Sequence, residues 1–439
     1  MSYTARRTPV HRGPAAWSDI LGSGPRYPAL DGAHRVDIAI VGAGFAGLSA
    51  ARRIAQLDPA VRVAVVEAGQ IAEGAAGRNS GFMIDLPHDL NSEDYASAGD
   101  DAAQIAMNRQ AIGFAREAVQ AYEIAADFFD AAGKINGACG EKAEAQNRSY
   151  AAHLAALGEP SEMLDEAQMR EITGSVAYRS GLYTPGTVML QPAGYVRGLA
   201  AGLSRGAAIF EKSPVTRIAK TGSGWCLSSK KGTLAAGQVI LATNGHLESF
   251  GIGTGRLIQL FLYASMTDVL DTPPGQDRWG VTPADPMGTT MRRIDTAQGG
   301  NRVITRTCAT MRPGMVPSAR DLARAARVHA AKFADHFPQL ADARQAYVWA
   351  GHLCLSRNGV AICREIEDGL FAACVQNGLG TARGTLTGMA AAEMALGHHS
   401  DITAHFQAEA QPTRLPPGPF AQIGANAYLR AKEWQARSE

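Results

Sequence analysis

Apolar and polar positions along this chain change period several times, and those changes mark its elements. Residues 36–41 (VDIAIV) form an apolar run of strand length, 48–57 are Ala-rich with helical character, and 61–66 return to a strand pattern. From 101 to 132 the period turns helical again, with Ile105, Ile112, Ala115, Val119, Tyr122 and Phe128 at compatible spacings. Helices are also expected at 141–157, 164–171 and 192–205. Short strands follow near 208–211, 214–219, 224–229, 232–235 and 237–242. Segments 256–270 and 290–308 read as strands of a second sheet, separated by a Pro/Gly-rich loop at 272–288. A helix near 317–334, a strand pair within 359–375 and a small-residue helix ending near 396 complete the pattern. Residues 1–34, rich in Pro and Gly, read as an arm over the first domain with Trp17 and Tyr27 as anchors. No internal repeat or low-complexity tract appears.

The junction of the first strand and helix carries chemistry. Gly42-Ala43-Gly44-Phe45-Ala46-Gly47 follows the strand directly, and Glu67-Ala68 closes the next one, 20 residues after Gly47. Gly42 permits a tight turn, Gly44 lets backbone approach a pyrophosphate, and Gly47 lets the helix pack close to the strand. Free amides at the helix start suit phosphates, and an acid at the Glu67 position suits ribose hydroxyls. The pattern predicts a dinucleotide site; the bland counterpart is a Gly-rich turn in an ordinary βαβ unit. Small residues at 74–81 suit backbone passing close to a ligand, and Thr243-Asn244-Gly245 ends another strand on a turn exposing amides.

Composition narrows the field. At 439 residues, 46% hydrophobic and 19% charged, the chain suits two or three structural units. A net charge of +1 gives no electrostatic case for nucleic acid. No apolar run of about 18 residues suggests a membrane span, and the basic N-terminus lacks a following apolar stretch. The expectation is a cytoplasmic protein. Cys139, Cys226, Cys308, Cys354, Cys363 and Cys374 lack metal-ligand spacing and are expected to be free thiols, with no metal site.

Four motifs in order resemble the flavin-dependent D-amino-acid oxidase superfamily, which holds glycine, sarcosine and γ-glutamylputrescine oxidases. They are VGAGFAG with Glu67, GAAGRNSGF at 74–82, VILATNGH at 239–246, and the W-A-G…N-G-L-G block at 349–380. The resemblance covers roughly 35–400; the N-terminal arm and the Gly77-Arg78-Asn79 tripeptide look most like the γ-glutamylputrescine oxidase branch. It implies an α/β fold with an α+β second domain: a Rossmann-type FAD-binding domain interleaved with a substrate domain built on a mixed or antiparallel sheet with helices. The expected division is an arm (1–34), an FAD domain (35–95, 185–252 and 345–400), a substrate domain (96–184 and 253–344) and a C-terminal extension (401–439).

By the same resemblance, the first motif holds the FAD pyrophosphate and Glu67 the ribose. Gly77, Arg78, Asn79, Ser80 and Gly81 run beside pyrophosphate and flavin, and the backbone of Val215 contacts adenine. Gly378-Leu379-Gly380-Thr381 aims a helix N-terminus at the flavin edge that gains negative charge on reduction. The implied reaction is oxidation of a C–N bond of an amine or amino acid. A neutral amine loses hydride to flavin N5, giving an imine and, with O2, peroxide, and no dedicated base is required. The alternatives are a flavin dehydrogenase for a 2-hydroxy or imino acid with another acceptor, and a flavin-binding subunit without turnover. Substrate identity and oligomeric state stay open.

The substrate end departs from the pattern. The arginine that glycine oxidase-like relatives carry after Trp-x-Gly is Leu353 here, and Ala382 also lacks a functional side chain. Arg292, Arg293, Arg302 and Arg306 offer another cation for a carboxylate, against the reading of a solvated basic strand edge. Tyr263, Met266, Arg292 and His352 are pocket candidates, with core positions as their counterpart. His246 is either a loop residue or close to FAD. Cys354 stands in a stretch resembling, loosely, the covalent attachment site of sarcosine oxidases. Attachment needs a lowered thiol pKa, and a buried small hydrophobe is the counterpart, so non-covalent FAD is expected. Arg383 either stabilises reduced flavin or serves the C-terminal helix.

Overall fold

The computed structural model describes residues 2–87, 100–285 and 287–437. It is α/β with two large sheets, as the motif order implies. In the first sheet, Gly32–Val41 lies between Val63–Val66 and Gly232–Leu241, all parallel, with Ala208–Phe210 beyond Val63–Val66. The expected strands 232–235 and 237–242 are one strand, because Gly32–Val41 offers a continuous partner from Gly32 to Val41. On its other side, this strand pairs first with Gly224–Ser228 and then with Leu370–Cys374. Ser2–Thr4 of the arm adds to the antiparallel extension by pairing with Arg217–Thr221.

Helix Phe45–Leu57 begins directly after the Gly42 turn and buries Leu48, Ala50, Ala51 and Ile54. A Cβ at Gly47 would lie 1.8 Å from the Gly42 carbonyl oxygen, so only glycine admits this helix-to-strand contact. The terminal helix Ala382–Ala395 packs against it just as closely, a Cβ at Gly388 falling 2.1 Å from the Ala46 carbonyl oxygen. The Gly42–Gly47 turn and the Gly378–Thr381 turn, more than 330 positions apart, are thereby fixed to each other.

The second sheet runs Gln345–Ser356, Leu257–Thr267, Arg302–Met311, Thr290–Ile294, Trp279–Pro283, Lys134–Ala138, Ser180–Thr184, Glu162–Leu164. Its neighbours are antiparallel except Trp279–Pro283 with Lys134–Ala138. Trp279–Pro283 lies within the expected 272–288 loop. Its Gly and Pro concealed an apolar run that is buried once Thr290–Ile294 and Lys134–Ala138 flank it. Expected strand 290–308 is two strands split by the Thr296–Gln298 turn.

The domain division differs in two places. Helix Asp101–Ala121, expected in the substrate domain, buries Ala111, Ile112, Phe114, Ala115 and Ala118 in the core beneath the first sheet. Strand Gln345–Ser356, expected in the FAD domain, belongs to the second sheet. The expected boundary at 95/96 lies outside the described residues. The C-terminal extension contributes helices Asp401–Ala408 and Gly418–Gln435. The latter seats Leu429 against Leu260, Ala309 and Met311. Among the described residues, no helix is long and apolar enough to cross a membrane.

Candidate active site

One continuous cavity runs from the nucleotide motifs to the second sheet. Glu67, Ala68 and Val215 border one end; Gly42, Gly44, Phe45 and Ala46 border the middle, with Arg78, Asn79, Ser80 and Gly81 alongside. Thr243, Asn244, Gly378, Gly380 and Thr381 continue it, and Phe261, Leu262, Ala264, Arg306, Met315 and Leu353 wall the far end.

The Glu67 carboxylate accepts from the Ala43 N–H at 2.8 Å and the Gly69 N–H at 3.0 Å. Burial raises its pKa, against the lowering effect of the Gly69, Ala43 and Ala68 amides. Remaining lone pairs suit two neighbouring hydroxyls. At the helix start, the first intrahelical bond is Leu48 N–H to the Gly44 carbonyl, so the Phe45, Ala46 and Gly47 amides precede any helical acceptor. Gly42 has φ +105°, and a Cβ there would lie 2.6 Å from the Ala242 carbonyl oxygen. A Cβ at Gly44 would meet only the Ala76 methyl at 3.6 Å, and one at Gly380 would meet nothing within 4 Å. Gly44 and Gly380 leave room for a ligand, whereas Gly42 and Gly47 are closed by backbone carbonyls.

The Gly77–Gly81 turn is held from behind. Asn79 donates to the Ala76 carbonyl at 2.6 Å and accepts from the Gly81 N–H at 2.8 Å. Arg78 is buried and spends its guanidinium on the carbonyls of Glu73, Gly13, Arg12 and Ala350. Burial lowers its pKa to about 10, so it stays protonated at neutral pH. Asn244 accepts from the Val375 N–H at 3.1 Å, joining the 239–246 motif to the terminal one. Thr381 donates to the Phe82 carbonyl at 2.7 Å, fixing the start of helix Ala382–Ala395 beside the cavity. Gly77, Gly245 and Leu379 are not among the cavity's lining residues; Gly245 instead admits Gln259 and His352, which a Cβ would meet at 2.3 and 2.7 Å.

A profile described as "DAO: FAD dependent oxidoreductase" matches residues 37–394, more than half of the chain. The protein belongs to this family of FAD-dependent oxidoreductases. Among curated relatives, the Probable oxidoreductase OrdL of Rhizobium meliloti (strain 1021) is 24% identical over 412 residues, covering 90% of this chain and 91% of that protein. The Gamma-glutamylputrescine oxidoreductase of Escherichia coli (strain K12) is 27% identical over 225 residues, covering 50% of this chain and 52% of its own. Among solved structures, glycine oxidase from Geobacillus kaustophilus superposes with a TM-score of 0.71 at 22% identity. The match covers 87% of this chain and 100% of that one, a likeness of fold.

The flavoenzyme's substrate-side candidates fall in different places. His352 borders the cavity, shares a 2.9 Å hydrogen bond with the Gln259 side-chain oxygen and stacks on Phe261 at 5.0 Å. Burial, then the neighbouring His246, lowers its pKa to about 3; His246 itself drops to about 4, chiefly by burial. Both imidazoles are neutral at pH 7. Tyr263 borders the cavity, but its ring packs with Phe261, Cys308, Ala325 and Ala350, and its hydroxyl bonds Thr310 at 2.5 Å. Met266 shares a strand face with Ala264 but lies two residues farther along, fully buried in the main core and not among the residues lining the cavity.

Arg292 also stays off the cavity. It donates to the carbonyls of Ser80 (3.3 Å) and Leu190 and lies over the Trp17 ring at 5.2 Å, supporting the turn from outside. Arg383 is engaged elsewhere too, pairing with Glu409 and lying over the Phe406 ring. Cys354 is fully buried in the second core cluster, away from the cavity lining, and burial raises its pKa well above the ordinary thiol value. Among the described residues, no cluster of His, Cys, Asp and Glu suits a metal ion.

The arm is what residue patterns missed. It borders the cavity from Arg7 to His11 instead of resting on one domain's surface. Its amides at Ala5 and Arg6 donate to Thr216 and Ser249 of the FAD domain. Arg7 and Arg12 then donate to Pro313 and Pro317 carbonyls, and the Ala350 N–H donates to Arg12. A segment with neither apolar period nor motif carries no sequence signal of such a position.

Proposed function

We propose that this protein oxidises a C–N bond of an amine or N-substituted amino acid with non-covalently held FAD, releasing peroxide in air. The observation that carries the reading is the far wall of the cavity. Phe261, Leu262, Ala264, Met315 and Leu353 make it mostly apolar beside Arg306, and among the described lining residues the one carboxylate is Glu67, at the opposite end. Burial holds His246 and His352 neutral, and it also lowers the pKa of His11 on the arm. Such a wall positions a substrate and excludes water, and it favours an amine that arrives uncharged.

Glu67 would hold the ribose, the amides of Phe45 and Ala46 the pyrophosphate, and the Val215 backbone the adenine; Gly47, expected with them, is not among the lining residues. The start of helix Ala382–Ala395 would place its positive end toward the flavin. Bound FAD supplies the hydride acceptor and the route for electrons to O2. Burial of Cys354 and its raised thiol pKa favour non-covalent binding, because a protonated, enclosed sulfur is a poor nucleophile. Curated relatives named Gamma-glutamylputrescine oxidoreductase and Glycine oxidase agree with a nitrogen-bearing substrate.

The test is acid precipitation of the yellow protein, then anaerobic bleaching by secondary amines, γ-glutamyl amines and N-methyl amino acids. Flavin released into the supernatant, bleaching by an amine and peroxide on readmitting air are the expected results. Flavin retained in the pellet, or no bleaching by any amine, would overturn the corresponding part.

A further inference from the structure

Four arginines stand on two neighbouring strands of the second sheet, Thr290–Ile294 and Arg302–Met311, and the structure separates them. Arg292 is spent on Ser80, Leu190 and Gln298. Arg293 donates to the carbonyls of Pro274 (3.3 Å), Gly275 (2.7 Å) and Gln276, and pairs with Asp277. Arg302 donates to the Thr267 carbonyl at 2.8 Å, lies 3.7 Å from Asp268 and rests over the Tyr347 ring. Arg306 alone of the four borders the cavity.

Its bonding is sparse. Among the described residues, Arg306 makes one long hydrogen bond, 3.4 Å to the Thr290 hydroxyl, and no ion pair. Burial is the cause of its lowered pKa, about 10, which leaves it charged at neutral pH. A guanidinium has five N–H donors in a planar fork that matches a carboxylate. Arg306 is half-buried, and beside an apolar wall its largely unmatched fork offers its donors to whatever enters the cavity, water or a ligand. Of the other lining arginines, Arg78 is committed to four carbonyls, and Arg7 is an exposed arm residue that donates to Pro313 at 2.8 Å. Register places Arg306 opposite Ala264, which is itself opposite Trp349, so it stands two strands from the strand that carries Leu353.

We propose that Arg306 is the specificity residue of this cavity and pairs with a carboxylate of the substrate, approached from the Arg302–Met311 strand. The inference rests on the amine-oxidation reading for its reaction but not for its binding chemistry. The substrate class is then an amine that carries a carboxylate, with a neutral nitrogen toward the flavin and the anion toward Arg306.

The test uses the FAD-loaded protein and unreactive probes, acetate and benzoate against acetamide and benzamide, reading the flavin absorption band. Carboxylates are expected to perturb the band with a Kd at least about tenfold below that of the matching amides. Arg306→Met should raise the carboxylate Kd by about 10- to 100-fold with little change for the amides, and Arg306→Lys should recover part of the loss. Equal binding of carboxylates and amides by the unmodified protein overturns the proposal. So does an unchanged carboxylate Kd in Arg306→Met or, if that variant does not take up FAD, in Arg306→Lys. Because no turnover is involved, carboxylate binding without amine bleaching sinks the amine reading and leaves Arg306 in place. Bleaching without carboxylate preference does the reverse.

Discussion

The indole N–H of Trp349 donates to the carbonyl oxygen of Arg78 at 3.0 Å, joining the terminal tryptophan motif to the Gly77–Gly81 turn. Ala350, the next residue, both accepts from the Arg78 guanidinium and donates to the Arg12 carbonyl. Three segments distant in sequence therefore meet at one peptide beside the cavity.

Trp349→Phe removes the indole donor and some buried volume. The expected loss is about 1–3 kcal/mol of stability, with looser FAD binding because the Arg78 carbonyl loses the partner that steadies the turn. Thermal denaturation followed by flavin fluorescence measures both. Release of flavin at the unmodified protein's temperature would show that the contact is dispensable.

Deleting residues 2–13 opens one side of the cavity and removes the backbone bonds at Ala5, Arg6 and Arg12. The truncated protein is expected to bind FAD at least about tenfold more weakly, a difference of about 1.4 kcal/mol. Fluorescence titration of the apoprotein checks this. Identical Kd values would reduce the arm to a surface appendage.

Gly44→Ala and Gly47→Ala should fail differently. A Cβ at position 47 collides with the Gly42 carbonyl oxygen at 1.8 Å, so that variant is expected in the insoluble fraction. The one at position 44 meets only the Ala76 methyl at 3.6 Å. That protein should fold, with native circular dichroism, and lose FAD affinity because the methyl occupies the approach to the phosphates.

Acid should destabilise the protein through its buried histidines. His352 is held down to about 3 and His246, His329 and His336 to about 4, all chiefly by burial. Unfolding restores ordinary values near 6.5, so below that pH the unfolded chain binds more protons. Stability is then full above about pH 6.5 and falls as pH drops toward 4. Tm measured across that window should decline, and His352→Asn, less stable at neutral pH, should show a shallower decline. A flat profile would contradict neutral burial of these rings.

The sequence by itself determined the cofactor and the frame around it. The Gly42–Gly47 turn, Glu67 and the strands and helix between them are close in the chain, and strand and helix periods place their side chains without distant information. The later motifs at 239–246 and 378–381 were legible because turns at strand and helix ends are written in local sequence, and both border the same cavity. Tertiary structure decided the substrate end. Arg302 and Arg306 share a strand and, by its alternation, a face, yet Arg302 reaches the Thr267 carbonyl and the Tyr347 ring while Arg306 borders the cavity. Arg292, Met266 and Arg383 likewise received their surroundings from segments far away in sequence: Trp17 and Leu190, the main core, and Glu409. A side chain's chemistry is written in its residue type, but its partners follow from which strands and helices pack beside it. Burial and ion pairing depend on those partners, so the far wall of the cavity became legible only once the two sheets and the arm were assembled around it.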